Sequence, residues 1–104
     1  MEKLTESQVE QCLKQTPEWG QAGESIQRTF SFRDFLHAMK FVNQVADLAE
    51  GNQHHPDILV RYKKVTLTLA THDAGGLTHK DFDLAAKIDA LVRKPERKAA
   101  KPPA

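Results

Sequence analysis

The chain has 104 residues, 39% of them hydrophobic and 28% charged, which is enough for one modest core and too few for two domains. No apolar run approaches the roughly 20 residues of a membrane-spanning helix, and the amino terminus lacks the apolar region of a secretory signal. We therefore expect one cytoplasmic domain with one site per subunit. The single cysteine, Cys12, has no second cysteine for a disulfide or a metal knuckle, and we interpret it as a packing residue.

The formal net charge of +1 conceals an asymmetry along the chain. Residues 93–104 carry five basic residues and one acid, which leaves a net charge of −3 on the remainder. A mildly acidic body is a poor nucleic-acid binder. The tail is rich in Lys, Ala and Pro, a composition typical of a disordered solubilising extension. We therefore expect a folded domain over residues 1–92, a basic disordered tail over residues 93–104, and no nucleic-acid partner.

Three helix starts are marked by a capping box, in which a Ser or Thr is followed three residues later by a side chain that can bond back to the cap amide. An apolar residue precedes each cap, and another lies five positions after that residue, a spacing that fixes the entry of the chain into a helix. The boxes are Thr5 with Gln8, Ser31 with Asp34, and Thr78 with Asp81. They predict helices over about residues 6–15, 31–51 and 79–92.

The second predicted helix carries more apolar residues than one face requires. We expect one stripe at helical spacing to face the core, namely Phe32, Phe35, Leu36, Met39, Val42, Ala46 and Ala49. A second apolar flank, formed by Phe41, Val45 and Leu48, exceeds the needs of a small core. This flank is predicted to be an exposed surface for self-association.

Between the helices, apolar residues alternate with period two, which indicates strands. One predicted hairpin pairs residues 58–62 with residues 65–69. The other pairs residues 26–30 with the stretch around Trp19, through a turn that contains glycine. The element order α-β-β-α-β-β-α predicts an α+β fold, with a four-stranded antiparallel sheet and three helices on one face.

Three histidines lie at the ends of predicted elements, where a rigid scaffold holds side chains at its rim. His54 and His55 follow the long helix, and Pro56 restrains the backbone of His55 to extended geometry. His72 follows the last predicted strand. Because the start of one strand of an antiparallel hairpin lies beside the end of its partner, we expect the three imidazoles at one edge of the sheet.

Histidine donates and accepts protons near neutrality, so a group of three suits general acid–base chemistry. Glu50, four residues before His54, is a candidate to orient an imidazole of this group. Two other interpretations stay open: solvated loop histidines, and a zinc site, although neither a His-x-x-x-His motif nor paired cysteines support zinc. Asp81 occupies a capping-box position, which favours a structural role for it.

The spacing of these residues resembles the signature of the pterin-4a-carbinolamine dehydratases, also called the dimerisation cofactor family. The likeness extends from about residue 4 to residue 92. One departure is Ile58, at a position where many members carry an aromatic residue. The matching positions are Glu50-x-x-x-His54-His55-Pro56, Tyr62, His72 and Asp81, supported by Trp19, Phe30-Ser31-Phe32-x-Asp34-Phe35, Leu67-Thr68-Leu69-x-Thr71-His72-Asp73 and Gly76-Leu77-Thr78.

The resemblance implies a hydro-lyase that dehydrates 4a-hydroxytetrahydrobiopterin to quinonoid dihydropterin, in tetrahydropterin recycling, without a metal or an organic cofactor. In the family the first and third histidines donate protons to the departing hydroxyl, which corresponds to His54 and His72. The second, His55, helps to bind and orient the pterin. Glu50 is expected to support His54. The further supporting residues implied are Pro56, Asp57, Thr71, Asp73 and Asp81.

Two other functions stay open beside the dehydratase. Some animal members also stabilise dimers of a homeodomain transcription factor, so the long helix is a candidate protein-binding surface. Self-association into a homodimer or homotetramer is the simpler use of that helix. A role in molybdopterin metabolism has also been proposed for family members. The resemblance implies a small-molecule pterin as the ligand and gives no indication of a nucleic acid or a membrane.

Overall fold

The structure, a computed structural model, describes residues 2–92, and the predicted disordered tail lies outside this range. The predicted α+β order is confirmed, with one 3₁₀ turn added at His72–Ala74. None of the helices within residues 2–92 has the length and apolar character needed to cross a membrane. The elements are α1 Glu6–Gln15, β1 Gly20–Ala22, β2 Ser25–Ser31, α2 Phe35–Asn52, β3 Asp57–Arg61, β4 Lys64–Leu69 and α3 His79–Val92.

The four strands form one antiparallel sheet in the order β1-β2-β4-β3. The β1–β2 hairpin turns at Gly23, whose φ of +62° lies in the left-handed region that glycine adopts without strain. The second hairpin turns at Tyr62, which also has a positive φ of 57° and therefore lies in the turn rather than in β3. The two hairpins join through β2 and β4, so β1 and β3 are the edges of the sheet.

The core lies between one face of the sheet and the helices. Alternate residues of the two central strands, apart from the half-buried Arg28, are buried there. The intervening residues on the opposite face are polar, and the hydroxyls of Thr29 and Thr66 lie 2.8 Å apart. Burial of each large apolar side chain contributes about 1.5–3 kcal/mol before chain entropy is counted. The buried apolar residues of these strands and helices are Val9, Ile26, Phe30, Ala38, Phe41, Val45, Ala49, Val65, Leu67, Leu69, Phe82, Leu84, Ala85 and Ile88.

The predicted capping boxes have different outcomes. Thr5 and Gln8 form both reciprocal bonds of the box at α1. The prediction that Ser31 caps the long helix is wrong: α2 begins at Phe35, and Asp34 is its N-cap, accepting from the amide of His37 at 2.9 Å. An aspartate is as good a cap as serine, and Ser31 is held in β2 by its pairing with Lys64.

The predicted inward face of α2 is confirmed at Ala49 and wrong at Phe35 and Leu36. Phe41 and Val45, expected on an exposed flank, are buried with Ala38 and Ala49 against the sheet and α3. Phe35 and Leu36, expected inside, have 47% and 71% of their surface exposed. The exposed apolar surface of the helix is therefore in its first turn, around Phe35 and Leu36, rather than along Phe41 and Val45.

Candidate functional site

The first two histidines lie where α2 ends and β3 begins. Gln53 adopts the left-handed conformation with φ of 52°, and the amide of His54 donates back to the carbonyl of Ala49 at 3.1 Å. Together with the bond from the Gln53 amide to the Glu50 carbonyl, this is a Schellman ending of the helix. The helix ends at Asn52, one residue beyond the predicted stop at Gly51. The reversal leaves His54 buried and His55 exposed.

Asp81 holds His54 from beneath the site. Its Oδ1 lies 2.5 Å from Nε2 of His54, and the carboxylate has no exposed surface. Its Oδ2 accepts from the amide of Thr78 and from the hydroxyl of Thr71, each at 2.9 Å. A carboxylate with three donors is a satisfied buried group. Asp81 therefore has the structural capping role predicted for it and also orients an imidazole.

Glu50 contacts a different histidine from the one expected. Its Oε2 lies 2.6 Å from Nε2 of His55, and both side chains are largely exposed. The expectation that Glu50 supports His54 is corrected by this contact. Glu50 lies on the last exposed turns of α2, and the inward turn of His54 carries that imidazole away from it towards α3.

The third histidine, His72, opens the 3₁₀ turn that follows β4 and is exposed. The turn is closed by Thr71 and Gly76, whose backbone groups exchange hydrogen bonds of 3.1 and 3.3 Å. The hydroxyl of Thr71 also lies 2.8 Å from that of Thr78. His72 is thus anchored, through the residue before it, to the same threonine–aspartate network that holds His54.

The three histidines line one open cleft of about 270 Å³. This volume lies close to the lower bound of about 300 Å³ for small-ligand sites, so the cleft suits a small, partly exposed ligand. Pro56, Asp57 and Ile58 do not line it, although the first two were expected to support the site. The lining residues are Gln53, His54, His55, Ala70, Thr71, His72, Asp73 and Lys80.

Sequence reasoning missed Gln53, Ala70 and Lys80 in this cleft. Lys80 could have been predicted, because it precedes the candidate residue Asp81 in the first turn of α3. Gln53 and Ala70 carry no chemical signal, and only the turn geometry brings them to the cleft.

A larger cavity of about 500 Å³ lies towards the opposite end of α2. Half of its lining residues are apolar, and Arg28, His37 and Lys40 are its cationic or titratable members. His37 belongs instead to a contact with the cap residue Asp34, at 2.7 Å. Because the three histidines converge on the smaller cleft, we take that cleft as the candidate site.

The described residues contain no group of three His, Cys, Asp or Glu side chains arranged to hold a metal ion. His54 and His55 each direct Nε2 at a carboxylate rather than at a common point. Each carboxylate orients one imidazole and leaves its second ring nitrogen for a ligand. An acid–base group needs such a nitrogen to exchange a proton.

Comparison with known proteins agrees with this geometry. The family model described as pterin 4 alpha carbinolamine dehydratase matches residues 2–91. A protein of Picosynechococcus sp. is 51% identical over 89 residues, 86% of this chain and 97% of that protein. A protein of Acidobacterium capsulatum is 52% identical over 92 residues, 88% of this chain and 100% of that protein. Both are named pterin-4-alpha-carbinolamine dehydratases, an assignment that those names mark as provisional.

Two solved structures resemble the fold. One, described as a transcriptional coactivator/pterin dehydratase from Brucella melitensis, has a TM-score of 0.84 and 38% identity over 88% of this chain and 99% of that one. The other, described as a pterin dehydratase-like protein that is a RuBisCO assembly factor in the alpha-carboxysome, has a TM-score of 0.61 and 26% identity, covering 71% of this chain and 88% of that one. With a family model matched over nearly the whole described range, the chain belongs to the pterin 4 alpha carbinolamine dehydratase family.

Proposed function

We propose that this chain dehydrates 4a-hydroxytetrahydropterins to quinonoid dihydropterins, and so takes part in tetrahydropterin recycling. One observation carries the proposal: three histidines line a single cleft, and a buried carboxylate fixes one of them. Membership of the family supplies the substrate class. The exposed side of the cleft suits a flat bicyclic ligand that brings its reactive edge to the imidazoles.

The reaction requires little from the protein besides proton transfer. The bond from C4a to the hydroxyl oxygen breaks as a general acid gives that oxygen a proton, and water leaves. The lone pair of N5 forms the C4a–N5 double bond, and the proton of N5 passes to a base or to solvent. General acid–base assistance of this kind contributes about 10²- to 10⁴-fold in rate.

His54 is the best placed general acid. If the Asp81 carboxylate accepts from Nε2 of His54, the remaining nitrogen, Nδ1, is the one that exchanges a proton with a ligand. No partner for Nδ1 is found among residues 2–92. His72, across the cleft, is the second proton carrier, and its exposure allows it to regain a proton from solvent.

His55 has the features of a ligand-placing group. Its imidazole is exposed at the rim of the cleft and paired with Glu50, so it can turn towards a bound pterin at small cost. Thr71 supports the site through Asp81, and Asp73 and Lys80 offer polar contacts at its wall. Pro56 and Asp57 act indirectly, by setting the start of β3 after His55.

Stopped-flow absorbance during turnover of an aromatic amino-acid hydroxylase tests the proposal. The wild-type chain should accelerate decay of the carbinolamine, and His54→Ala and His72→Ala should each slow it while circular dichroism shows an intact fold. His37→Ala, at the other end of α2, is the matched control and should keep full activity. An inactive wild-type protein would exclude the function, and a fully active double His54→Ala, His72→Ala variant would exclude the roles.

A protein-binding function is the second candidate. The exposed apolar surface of α2 around Phe35 and Leu36 favours it, and the two structural relatives are described as a coactivator and as an assembly factor. Affinity capture with the wild-type chain and with Leu36→Asp tests this candidate. A heterologous protein retained by the first and lost by the second supports it, whereas recovery of this chain alone speaks against it.

A further inference from the structure

Lys80 is the one lysine or arginine among the described residues that line the histidine cleft. Its side chain is half-buried, and no carboxylate within residues 2–92 lies in ion-pair distance of its ammonium group. By contrast, the ammonium groups of Lys3 and Lys87 contact Glu24 at 3.3 Å and Asn52 at 2.7 Å. The wall of the cleft therefore carries a positive charge that no described side chain neutralises by contact.

The start of α3 does not need this charge. The carboxylate of Asp81 accepts from the amide of Thr78 at 2.9 Å and so completes the cap. Only the backbone amide of Lys80 joins this network, donating to the hydroxyl of Thr78 at 3.2 Å. A cation in the first turn also faces the positive end of the helix dipole, which makes the helix less stable. Residues that break a local rule in this way are expected at functional sites, so the Lys80 side chain contributes to the cleft rather than to the helix.

The position of Lys80 determines which part of a bound pterin it can reach. In the proposed function C4a lies at the histidines, and C6, which carries the pterin side chain, is joined to C4a through N5 alone. The side chain thus leaves the ring close to the histidines, and a cleft of about 270 Å³ holds little beyond the bicyclic ring. Lys80 directly precedes Asp81, which holds His54. On its flexible four-carbon stem, the ammonium can therefore meet a substituent of this side chain at the rim.

The chemistry of Lys80 favours an anionic substituent. An ammonium group is a point charge with three donors, and its hydrogen bonds to a phosphate or carboxylate are roughly twice as strong as those between neutral groups. Asp73 opposes this preference, because its carboxylate lines the same cleft. Asp73 is exposed, however, so water and salt screen its charge more than that of the half-buried Lys80.

We propose that Lys80 is a specificity-determining residue, which selects pterins whose C6 side chain carries a phosphate or a carboxylate over pterins with a neutral side chain. This inference rests on the proposed function, which supplies the pterin. Lys80 acts in binding, whereas His54 and His72 carry the proton transfer. The measurable consequence is a ratio of affinities between two ligands, because specificity is a difference of binding free energies.

Calorimetric titration tests the selection with 7,8-dihydroneopterin and 7,8-dihydroneopterin monophosphate, which differ by one phosphate. At low salt the wild-type chain should bind the monophosphate roughly fivefold more tightly. Lys80→Gln should reduce this ratio to one or below, because Asp73 then acts unopposed, and Lys80→Arg should retain the preference. A third probe, 7,8-dihydrofolate, carries carboxylates on its side chain. Weaker binding of either anionic probe to Lys80→Gln supports the proposal and identifies the anion that Lys80 recognises.

Two further variants control the measurement. Lys87→Gln removes a cation of α3 that does not line the cleft and should keep the wild-type ratio, whereas Asp73→Asn should increase it. Both probes bind the same folded variant, so a general loss of stability does not alter the ratio. Equal affinity of the wild-type chain for the two neopterins, or an unchanged ratio in Lys80→Gln, would overturn the selection by Lys80 and leave the dehydratase proposal standing. A wild-type chain that binds none of the three pterins would overturn both.

Discussion

Two histidines, two and three residues beyond the end of α2, each pair with a carboxylate at nearly the same distance but in opposite environments. The His54–Asp81 pair, at 2.5 Å, has side chains 10% and 0% exposed, whereas the His55–Glu50 pair, at 2.6 Å, has side chains 62% and 77% exposed. In water such a contact is screened and contributes little, while in the interior its loss leaves polar groups without partners. Bond length alone thus says little about the importance of either pair. Burial distinguishes an imidazole of fixed orientation from one that can move.

The largest expected effect is that of removing the buried carboxylate. Asp81→Ala leaves the Thr78 amide, the Thr71 hydroxyl and His54 Nε2 without their acceptor, which should lower the free energy of unfolding by about 3 kcal/mol. Glu50→Ala, the matched change in the exposed pair, should cost less than about 0.5 kcal/mol. Urea unfolding followed by circular dichroism measures both. Equal losses for the two variants would contradict the distinction between the pairs.

The next effect is kinetic and separates the two histidines. Replacing His54 by Gln removes the proposed acid and should lower kcat about 10²-fold with little change in KM. Replacing His55 by Gln should mainly raise KM, because this side chain is expected to place the substrate. Steady-state kinetics on both variants, with His37→Gln as the control, give the comparison. A larger fall in kcat for His55→Gln than for His54→Gln would reverse the assignment.

A smaller effect, which depends on salt concentration, is expected from the exposed His55–Glu50 pair. Glu50→Gln weakens the orientation of His55 and should raise KM a few-fold at low ionic strength. Because exposed charges are screened over about 8 Å at 0.15 M salt, the difference from wild type should shrink as salt increases. The buried His54–Asp81 pair should show no such dependence, so Asp81→Asn serves as the comparison. A salt-independent effect of Glu50→Gln would mean that Glu50 acts by contact with the substrate.

The smallest effect concerns a third pair, His37 with Asp34, of intermediate exposure. Hydrogen bonds from the His37 side chain, and then from its amide, lower the pKa of Asp34 below 3.8. A lowered folded-state pKa stabilises the fold above the ordinary value and ceases to do so as the pH falls through the lowered one. The difference in urea midpoint between wild type and Asp34→Ala should therefore be present at pH 6 and vanish in strong acid. Asp47→Ala, an exposed carboxylate on the same helix, is the matched control variant.

Much of this architecture could be predicted from local sequence chemistry. The box of Thr5 and Gln8, the alternation in β2 and β4, and Gly23 in the first hairpin turn all report on contacts within a few residues. The position of the histidines at one edge of the sheet followed from hairpin geometry alone. These predictions succeed because backbone geometry, rather than side-chain packing, determines them.

The failures concern choices made by tertiary packing. Apolar residues surround most of α2, so periodicity could not say whether the arc of Leu36 and Met39 or the arc of Phe41 and Val45 faces the sheet. The small residues Ala38 and Ala49 let the second arc approach closely, and both are buried. Similarly, the four-residue spacing of Glu50 and His54 predicts a contact along the helix. The helix ends before His54, because Gln53 is left-handed, and the Glu50 carboxylate contacts His55 instead. The left-handed backbone of Gln53 thus directs His54 towards Asp81 and leaves His55 beside Glu50.

The bond between His54 and Asp81 joins positions 27 residues apart along the chain. Between them lie the whole β3–β4 hairpin and the turn of His72, so this contact closes a loop that contains the third histidine. Local structure alone cannot form the pair. The end of α2, the β3–β4 hairpin and the start of α3 at His79 must all be in place before the imidazole contacts its carboxylate. We therefore expect the site to form late in folding, and the NMR signals of the His54 imidazole, followed during refolding, to report when the bond to Asp81 forms.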